Sequence, residues 1–529
     1  MRLRAMLLGL LGLAMVVTAG CTTTDPNKTL HIVAGSEQRA VLEQVVEPWC
    51  DDNGYTCTWD LKGSVDQARL LQTGATEYDA YWFASSVFSQ LGNEQNQLTS
   101  VQPMFVTPIV FAGWKSEMER LGFVDNPDVG VEEILAAVEE HRTTVWTTNP
   151  TQSNSGATVL FSFLNHFAGN GPGQPLTMEQ LDSEPVDTGI KRFIQAMDRT
   201  PPSTGTMMDE CLEATDRCKT LFTYEELVIE YNQHLVAEGK EPLYAVYPIG
   251  SLAISDAPLG FYDRGGESGA AKREIFDELQ GYLLNDPDAQ QKLRDLGRRP
   301  IDAIGLTLDD PDHAVFNPEW GIKTDIREQA ITYPSSEVIE AALEHYHMRY
   351  RKPTNTVYCL DASGSMAGEG WEGVQDAAAQ LFDTELARRN LLQTAPEDST
   401  SVGVFNSGVA DFWTVEGNDP DKLRELQHSV QGWDPGGGTD LYSCLIKAAD
   451  VLEDEDRKRL IVLMSDGKSK DGLKGEALER LRGLDAPVIA IAFADADPQQ
   501  LEEIADATGG AYVESADLVE ALRKATGYK

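Results

Sequence analysis

Histidine is scarce, with eight in the 529-residue chain, and the eight fall at no metal-ligand spacing. A Gly-x-Ser-x-Gly elbow, a His-Glu-x-x-His helix and a phosphate-binding loop are all missing, so the sequence carries no enzyme signature. Positive charge is also short. Against 85 acidic residues stand 43 basic ones, for a formal net charge of -42. That balance repels phosphate backbones and argues against a nucleic-acid partner. A solvated acidic surface accounts for it without invoking calcium. After the first twenty residues no segment approaches the roughly 20 apolar residues of a membrane-spanning helix. Tandem repeats and low-complexity tracts are absent too.

What is present describes a folded, exported chain. A content of 41% hydrophobic and 8% aromatic residues is that of a globular protein, and the length exceeds what one core supports, so two or three domains are expected. Residues 1–20 read as an export signal: Arg2 and Arg4, an apolar run over 6–17, then Thr18, Ala19 and Gly20. The string VTAGC resembles a bacterial lipobox, although Thr18 stands where an aliphatic residue is usual. The resemblance implies acylation of Cys21 and an extracytoplasmic protein lipid-anchored to the bacterial cell membrane, because dual acylation gives stable attachment.

Export also places the other six cysteines where disulfides persist. Cys50 and Cys57 flank DDNGYT, and Cys211 and Cys218 flank LEATDR. Both pairs are predicted disulfides, each closing a short loop for about 2.5 kcal/mol in the chain-entropy model. Cys359 and Cys444 sit inside regular elements. They either pair or serve as two small buried hydrophobes, and the sequence does not separate these.

Residues 21–29 form a polar tether, after which LHIVAGSEQRAVLEQVV reads as strand, glycine turn and helix, the opening of an α/β domain over 30–348. The basic, proline-containing RYRKPTN breaks the chain before a second domain at 354–529. There, strands are expected at 356–360, 401–405, 411–415, 460–464, 488–493 and 511–514. Amphipathic helices lie between most of them; Val374, Ala377, Ala378, Leu381 and Phe382 mark one helix face. The uninterrupted apolar strands LIVLM and VIAIAF suit a sheet covered on both faces. The expectation is a doubly wound, mostly parallel sheet that binds ligands beyond its strand C-termini.

Three loops should meet at that edge. DASGS contributes Asp361, Ser363 and Ser365, the loop GWDPGGGTD contributes Thr439, and MSDG contributes Asp466. Two carboxylates and three hydroxyls make an all-oxygen set suited to Mg2+ or Mn2+ and unsuited to zinc. Asp440 reads as a helix cap and Asp434 as a turn residue. These motifs and their order resemble the von Willebrand factor A family, with its metal ion-dependent adhesion site. The resemblance implies that Ser363, Ser365 and Thr439 are hydroxyl ligands, that Asp361 and Asp466 are the carboxylates, and that an acidic residue of a protein partner completes the site.

The region 30–348 resembles a type II extracellular solute-binding protein, a bilobal α/β clamshell, through its strand opening into GSE, the strand MFVTPIVFAGWK, the segment TTNPTQSNSGATVLFSFL and the return YAVYPIGSLAISDAPLGFY. Lobe one is expected at 30–107 plus about 255–348, with lobe two between. Strand-to-helix turns carrying Ser36, Ser85, Ser86, Ser153, Asn154, Ser155 and Tyr247 then face the cleft. Helix N-termini with hydroxyls bind oxyanions, which points to a small anionic or zwitterionic solute; the same serines also suit plain helix capping. Two functions follow. One is an anchored binding protein, gripping a partner through its metal site and a solute in its cleft. The other is the solute-binding component of an ABC importer, with the C-terminal domain as a docking module.

Overall fold

The computed structural model describes residues 25–529 apart from 75–76, 172, 302–305, 454–456, 468, 494–495, 497, 515–517 and 527–529. The export signal and Cys21 lie outside the described residues. The N-terminal region contains β1 (Thr29–Ala34), β2 (Thr56–Leu61), β3 (Ala80–Trp82), β4 (Leu98–Pro103), β5 (Thr107–Trp114), β6 (Val145–Trp146), β7 (Thr220–Tyr224), β8 (Leu243–Val246), β9 (Ile254–Ser255) and β10 (Pro258–Tyr262). They form two sheets, ordered β2-β1-β3-β10-β4 and β6-β7-β5-β8, with β9 paired to β5. All of β5 but Trp114 is buried, as its apolar run demands of a central strand.

The chain passes between lobes beside one point. It leaves the first sheet between β4 and β5 and returns through β9 and β10, where Thr107 pairs with Ser255. Arg299 then exchanges backbone hydrogen bonds with Val106 at 2.9 and 3.2 Å. Beyond Arg299 the structure departs from the expected division of lobes, because 306–350 packs largely on lobe two. Gly321 lies against the Ala245 carbonyl of β8, helix Ser336–His345 rests on Met178–Leu181, and the turn after it on Glu184–Ala196. The cause is apolar surface. Val338, Ile339, Ala342 and Leu343 must be buried, while lobe one is already covered by helices Gly266–Asn285 and Pro287–Asp295, which contribute Ile275, Phe276, Leu279 and Leu293 to its core.

The C-terminal domain contains β11 (Thr354–Asp361), β12 (Ser399–Phe405), β13 (Val409–Glu416), β14 (Lys458–Ser465), β15 (Val488–Ala492) and β16 (Ala511–Glu514). Their order is β13-β12-β11-β14-β15-β16. Only the β12–β13 pairing is antiparallel, so the expected doubly wound sheet is present. Each face has its own core. On one, Trp371, Val374, Ala378 and Leu381 pack against β11 and β14. On the other lie Leu441, Leu445, Ala448 and Leu452.

Cys50–Cys57 and Cys211–Cys218 are disulfides, as expected. The question left open by the remaining two is settled by position. Cys359 on β11 and Cys444 on helix Leu441–Leu452 stand with Cα atoms 6.0 Å apart and are bonded. Among the described residues no helix is long and apolar enough to cross a membrane.

Candidate metal edge and interlobe cleft

Asp361 ends β11 fully buried, its Oδ1 accepting from the Ser363 amide at 2.8 Å and its Oδ2 from the Ser465 hydroxyl at 2.5 Å. The Ser363 and Ser365 hydroxyls lie 3.1 Å apart. The glycine loop crosses directly onto this turn: the Gly436 amide donates to Ala362 at 2.8 Å, and the Gly364 amide to Gly437 at 3.3 Å. Gly437 has φ of +91°, a conformation that side chains disfavour. The Gly438 amide donates to Ser407 at 2.9 Å, and the Asp440 amide to Asn406 at 2.6 Å. Asp466 follows β14 and is buried. The Ser469 hydroxyl reaches back to the Thr439 carbonyl at 3.3 Å.

The three loops therefore meet at the strand C-termini, with Ser365 exposed and Thr439 half-buried. Asp440 caps the following helix by accepting from the Ser443 amide. Burial holds the Asp361 carboxyl above the usual range; hydrogen bonds from Ser465 and Ser363 oppose this, and the nearby Asp466 charge reinforces it. Two carboxylates buried this close together in a poorly solvating setting repel each other, and a divalent cation would offset that repulsion. Among the described residues no group of three His, Cys, Asp or Glu side chains could hold a metal, so hydroxyls must complete any donor set here. An all-oxygen, hydroxyl-rich set fits Mg2+ or Mn2+. Sequence reasoning missed Ser465 and the Asn406–Ser407 turn. Their signals were a serine directly before Asp466 and a polar turn directly after an apolar strand.

Between the lobes the surfaces touch. The Ser36 hydroxyl, after β1, accepts from the Gly205 amide of lobe two at 2.9 Å. A Cβ on Gly63 would stand 2.2 Å from the Gln152 carbonyl, so only glycine permits this approach. The helix Asn154–Phe167 begins beneath that contact. Ser155 bonds to Thr148 at 2.7 Å and Thr204 at 2.8 Å, and Ser153 lies 3.4 Å from Thr204. The Asn154 amide donates to Tyr224 and Ser255, both at 2.9 Å.

Four of the seven expected cleft residues, Ser36, Ser153, Asn154 and Ser155, are thus brought together. Ser85, Ser86 and Tyr247 are not among them. Ser85 caps its own helix by accepting from Val87 at 3.3 Å. The Ser86 amide and hydroxyl both donate to Asp256. The Tyr247 hydroxyl donates to Glu225, drawn there by the buried Glu225–Arg299 ion pair. Beside the cleft floor lie groups the sequence did not reveal. Burial raises Glu37 to about 7 and Glu226 to about 8. Arg298 supplies the countercharge, with Nη2 on the Glu37 carbonyl at 2.7 Å and Nε 3.4 Å from Glu226.

Comparison with known proteins agrees with this architecture. Residues 30–299 match the family model for bacterial extracellular solute-binding proteins, and 355–526 match that for the von Willebrand factor type A domain. No curated protein matches the chain. Among solved structures, a periplasmic thiamin binding protein is 11% identical over 60% of this chain and 95% of its own, with TM-score 0.46. The periplasmic binding protein P5PA is 11% identical over 61% and 99%, with TM-score 0.43. An aerotolerance-related membrane protein from Bacteroides fragilis is 16% identical over 33% and 98%, with TM-score 0.27. With half of its length matched by one family model and its last third by the other, the chain belongs to the bacterial extracellular solute-binding proteins and carries a von Willebrand factor type A domain behind its clamshell.

Proposed function

We propose that this is a lipid-anchored extracytoplasmic binding protein whose clamshell captures a small anionic or zwitterionic solute and whose type A domain grips a protein partner through Mg2+ or Mn2+. The observation that carries the reading is the meeting of the turns after β11 and β14 with the glycine loop that precedes helix Leu441–Leu452, with Asp361 and Asp466 buried and Ser365 exposed at one edge. Asp361, Ser363, Ser365, Thr439 and Asp466 would hold the ion, which supplies a Lewis-acidic point for an acidic group of the partner. Asp361 keeps its carboxylate oriented through Ser363 and Ser465. Two carboxylates balance a dication and the three hydroxyls are neutral, so what an incoming partner carboxylate would find is an open coordination position on a hard, oxygen-seeking ion. Acylated Cys21 would hold the molecule at the membrane surface.

The test is titration calorimetry on the full mature chain with Mg2+ and Mn2+. One ion per chain is expected, and Asp361→Ala should abolish it; no binding at millimolar metal would defeat the adhesive reading. Mass spectrometry of the mature N-terminus checks the anchor, and an unmodified residue there would exclude it. The match of 30–299 to solute-binding proteins favours a second reading, delivery of solute to an importer with the type A domain as docking module. That reading requires the protein to stimulate a permease in reconstituted vesicles.

A further inference from the structure

In this strongly acidic molecule, one cavity has the opposite character. Where the two lobes and the type A domain meet lies a space of about 410 Å3 bordered by Arg39, Lys62, Arg69, Arg523 and Lys524, with Asp66 the sole carboxylate among the described lining residues, and with Arg39 paired to Asp209 at 3.3 Å. The Ser36 and Ser203 side chains open onto it as well. Arg39 and Lys62 belong to lobe one, as does Arg69 on helix Ser64–Thr73, while Arg523 and Lys524 stand on helix Leu518–Thr526 of the type A domain.

The single carboxylate is already engaged. Arg523, only 6% exposed, donates from Nε to Asp66 at 2.7 Å, from Nη2 to the Thr151 carbonyl at 2.6 Å and from Nη1 to the Asn390 carbonyl. Its own carbonyl accepts from the Gln152 side chain at 2.5 Å. Arg69 is left with less. One terminal nitrogen donates to the Arg389 carbonyl, and its buried Nε has no hydrogen-bond partner among the described residues. Burial, together with the adjacent Arg523 charge, lowers its pKa to about 9. Arg69 is half-buried, but a guanidinium Nε enclosed without an acceptor is costly, and an anion would supply both acceptor and charge.

We infer that this cavity binds a small oxyanion-bearing solute, a phosphate or a carboxylate, and that the type A domain furnishes one wall of the site through Arg523 and Lys524. The inference rests on the solute-binding reading and adds the ligand class and the second domain. Arg523 touches Asp66 in lobe one and Thr151 in lobe two, so the site is complete only with both lobes together and the type A domain seated on them.

Calorimetry on the full mature chain at low ionic strength, with inorganic phosphate, succinate and neutral glucose as probes, tests this. Phosphate or succinate should bind at one site, the better of the two identifying the oxyanion, and affinity should fall at least tenfold in both Arg69→Gln and Lys524→Gln. Those variants lie in different domains, and thermal unfolding confirms that each folds. Equal anion binding by wild type and both variants would overturn the inference and leave the solute-binding reading standing, whereas glucose binding alone would overturn the inference together with the anionic or zwitterionic class proposed for the solute. If no probe binds, the inference falls, and a broader solute screen by thermal shift decides the parent reading separately.

Discussion

At the candidate metal edge, Asp361, Ser363, Ser365 and Asp466 stand at or just beyond the ends of β11 and β14, whose ladder pairing fixes the spacing of the two turns, and Thr439 joins them from a loop between two helices. Between the lobes, the polar groups come from two sheets joined only by passes of chain beside Val106, Thr107 and Arg299. The first arrangement sets two buried carboxylates close together. In the second, Ser153, Ser155, Thr148 and Thr204 satisfy one another. The edge holds two carboxylates close together because the paired strands keep them in place, whereas the start of helix Asn154–Phe167 satisfies its hydroxyls within one cluster.

The sharpest way to break that contrast is Asp361→Ala. Metal affinity should fall by more than a hundredfold in calorimetry while the domain stays folded, because the change removes one of two neighbouring buried carboxylates. A collapse in thermal stability would show the edge to depend on Asp361 for its shape. Next in size is the double change Cys359→Ala with Cys444→Ala. The bond spans 85 residues, and the chain-entropy model assigns such a loop about 4.5 kcal/mol, against about 2.5 for the short loops at Cys50 and Cys211. Denaturant unfolding of each variant should reproduce that order.

The clamshell should answer to pH. Glu37 and Glu226 titrate at about 7 and about 8 in the folded chain, above the ordinary value near 4.5 that the unfolded chain adopts. The folded state therefore holds extra protons between these limits, and stability should fall as pH rises from about 5 to 8. Glu226→Gln should flatten that part of the profile, and an unchanged slope would remove Glu226 as its source. The smallest effect is expected from Ser155→Ala, at about 1–2 kcal/mol, because Thr148 and Thr204 lose a buried partner. Adding Ser153→Ala should weaken solute binding further, measured on the full chain.

Legibility from the sequence follows the same division. Asp361 and Asp466 were readable because a strand end and the turn after it are local and a parallel sheet brings its strand ends to one edge, and Thr439 because it closes a glycine-rich loop directly before a helix. The helix face of Val374, Ala377 and Leu381 was readable for the same reason, and all three are buried. The Cys359–Cys444 bond was not, since nothing within either element says what lies across 85 residues. In the clamshell, a serine before a helix shows that a helix begins there but not which surface its N-terminus faces. Ser85 and Ser86 accordingly turned out to serve their own helix start and Asp256. The placement of 306–350 depended on which lobe still had bare apolar surface, and the Glu37–Arg298–Glu226 cluster on groups meeting across a hinge.

The bond between Cys359 and Cys444 carries a mechanical consequence. It ties the central strand, two residues before Asp361, to the helix that follows Thr439. A pull applied at this edge reaches two loops that are covalently joined beneath the surface. If the domain were stretched until it unravelled, the enclosed 85 residues could not pay out. At about 3.5 Å per extended residue, roughly 300 Å of slack stays locked. Reducing that one bond would release it, making the oxidation state of two buried cysteines a control on how far the domain can extend under load.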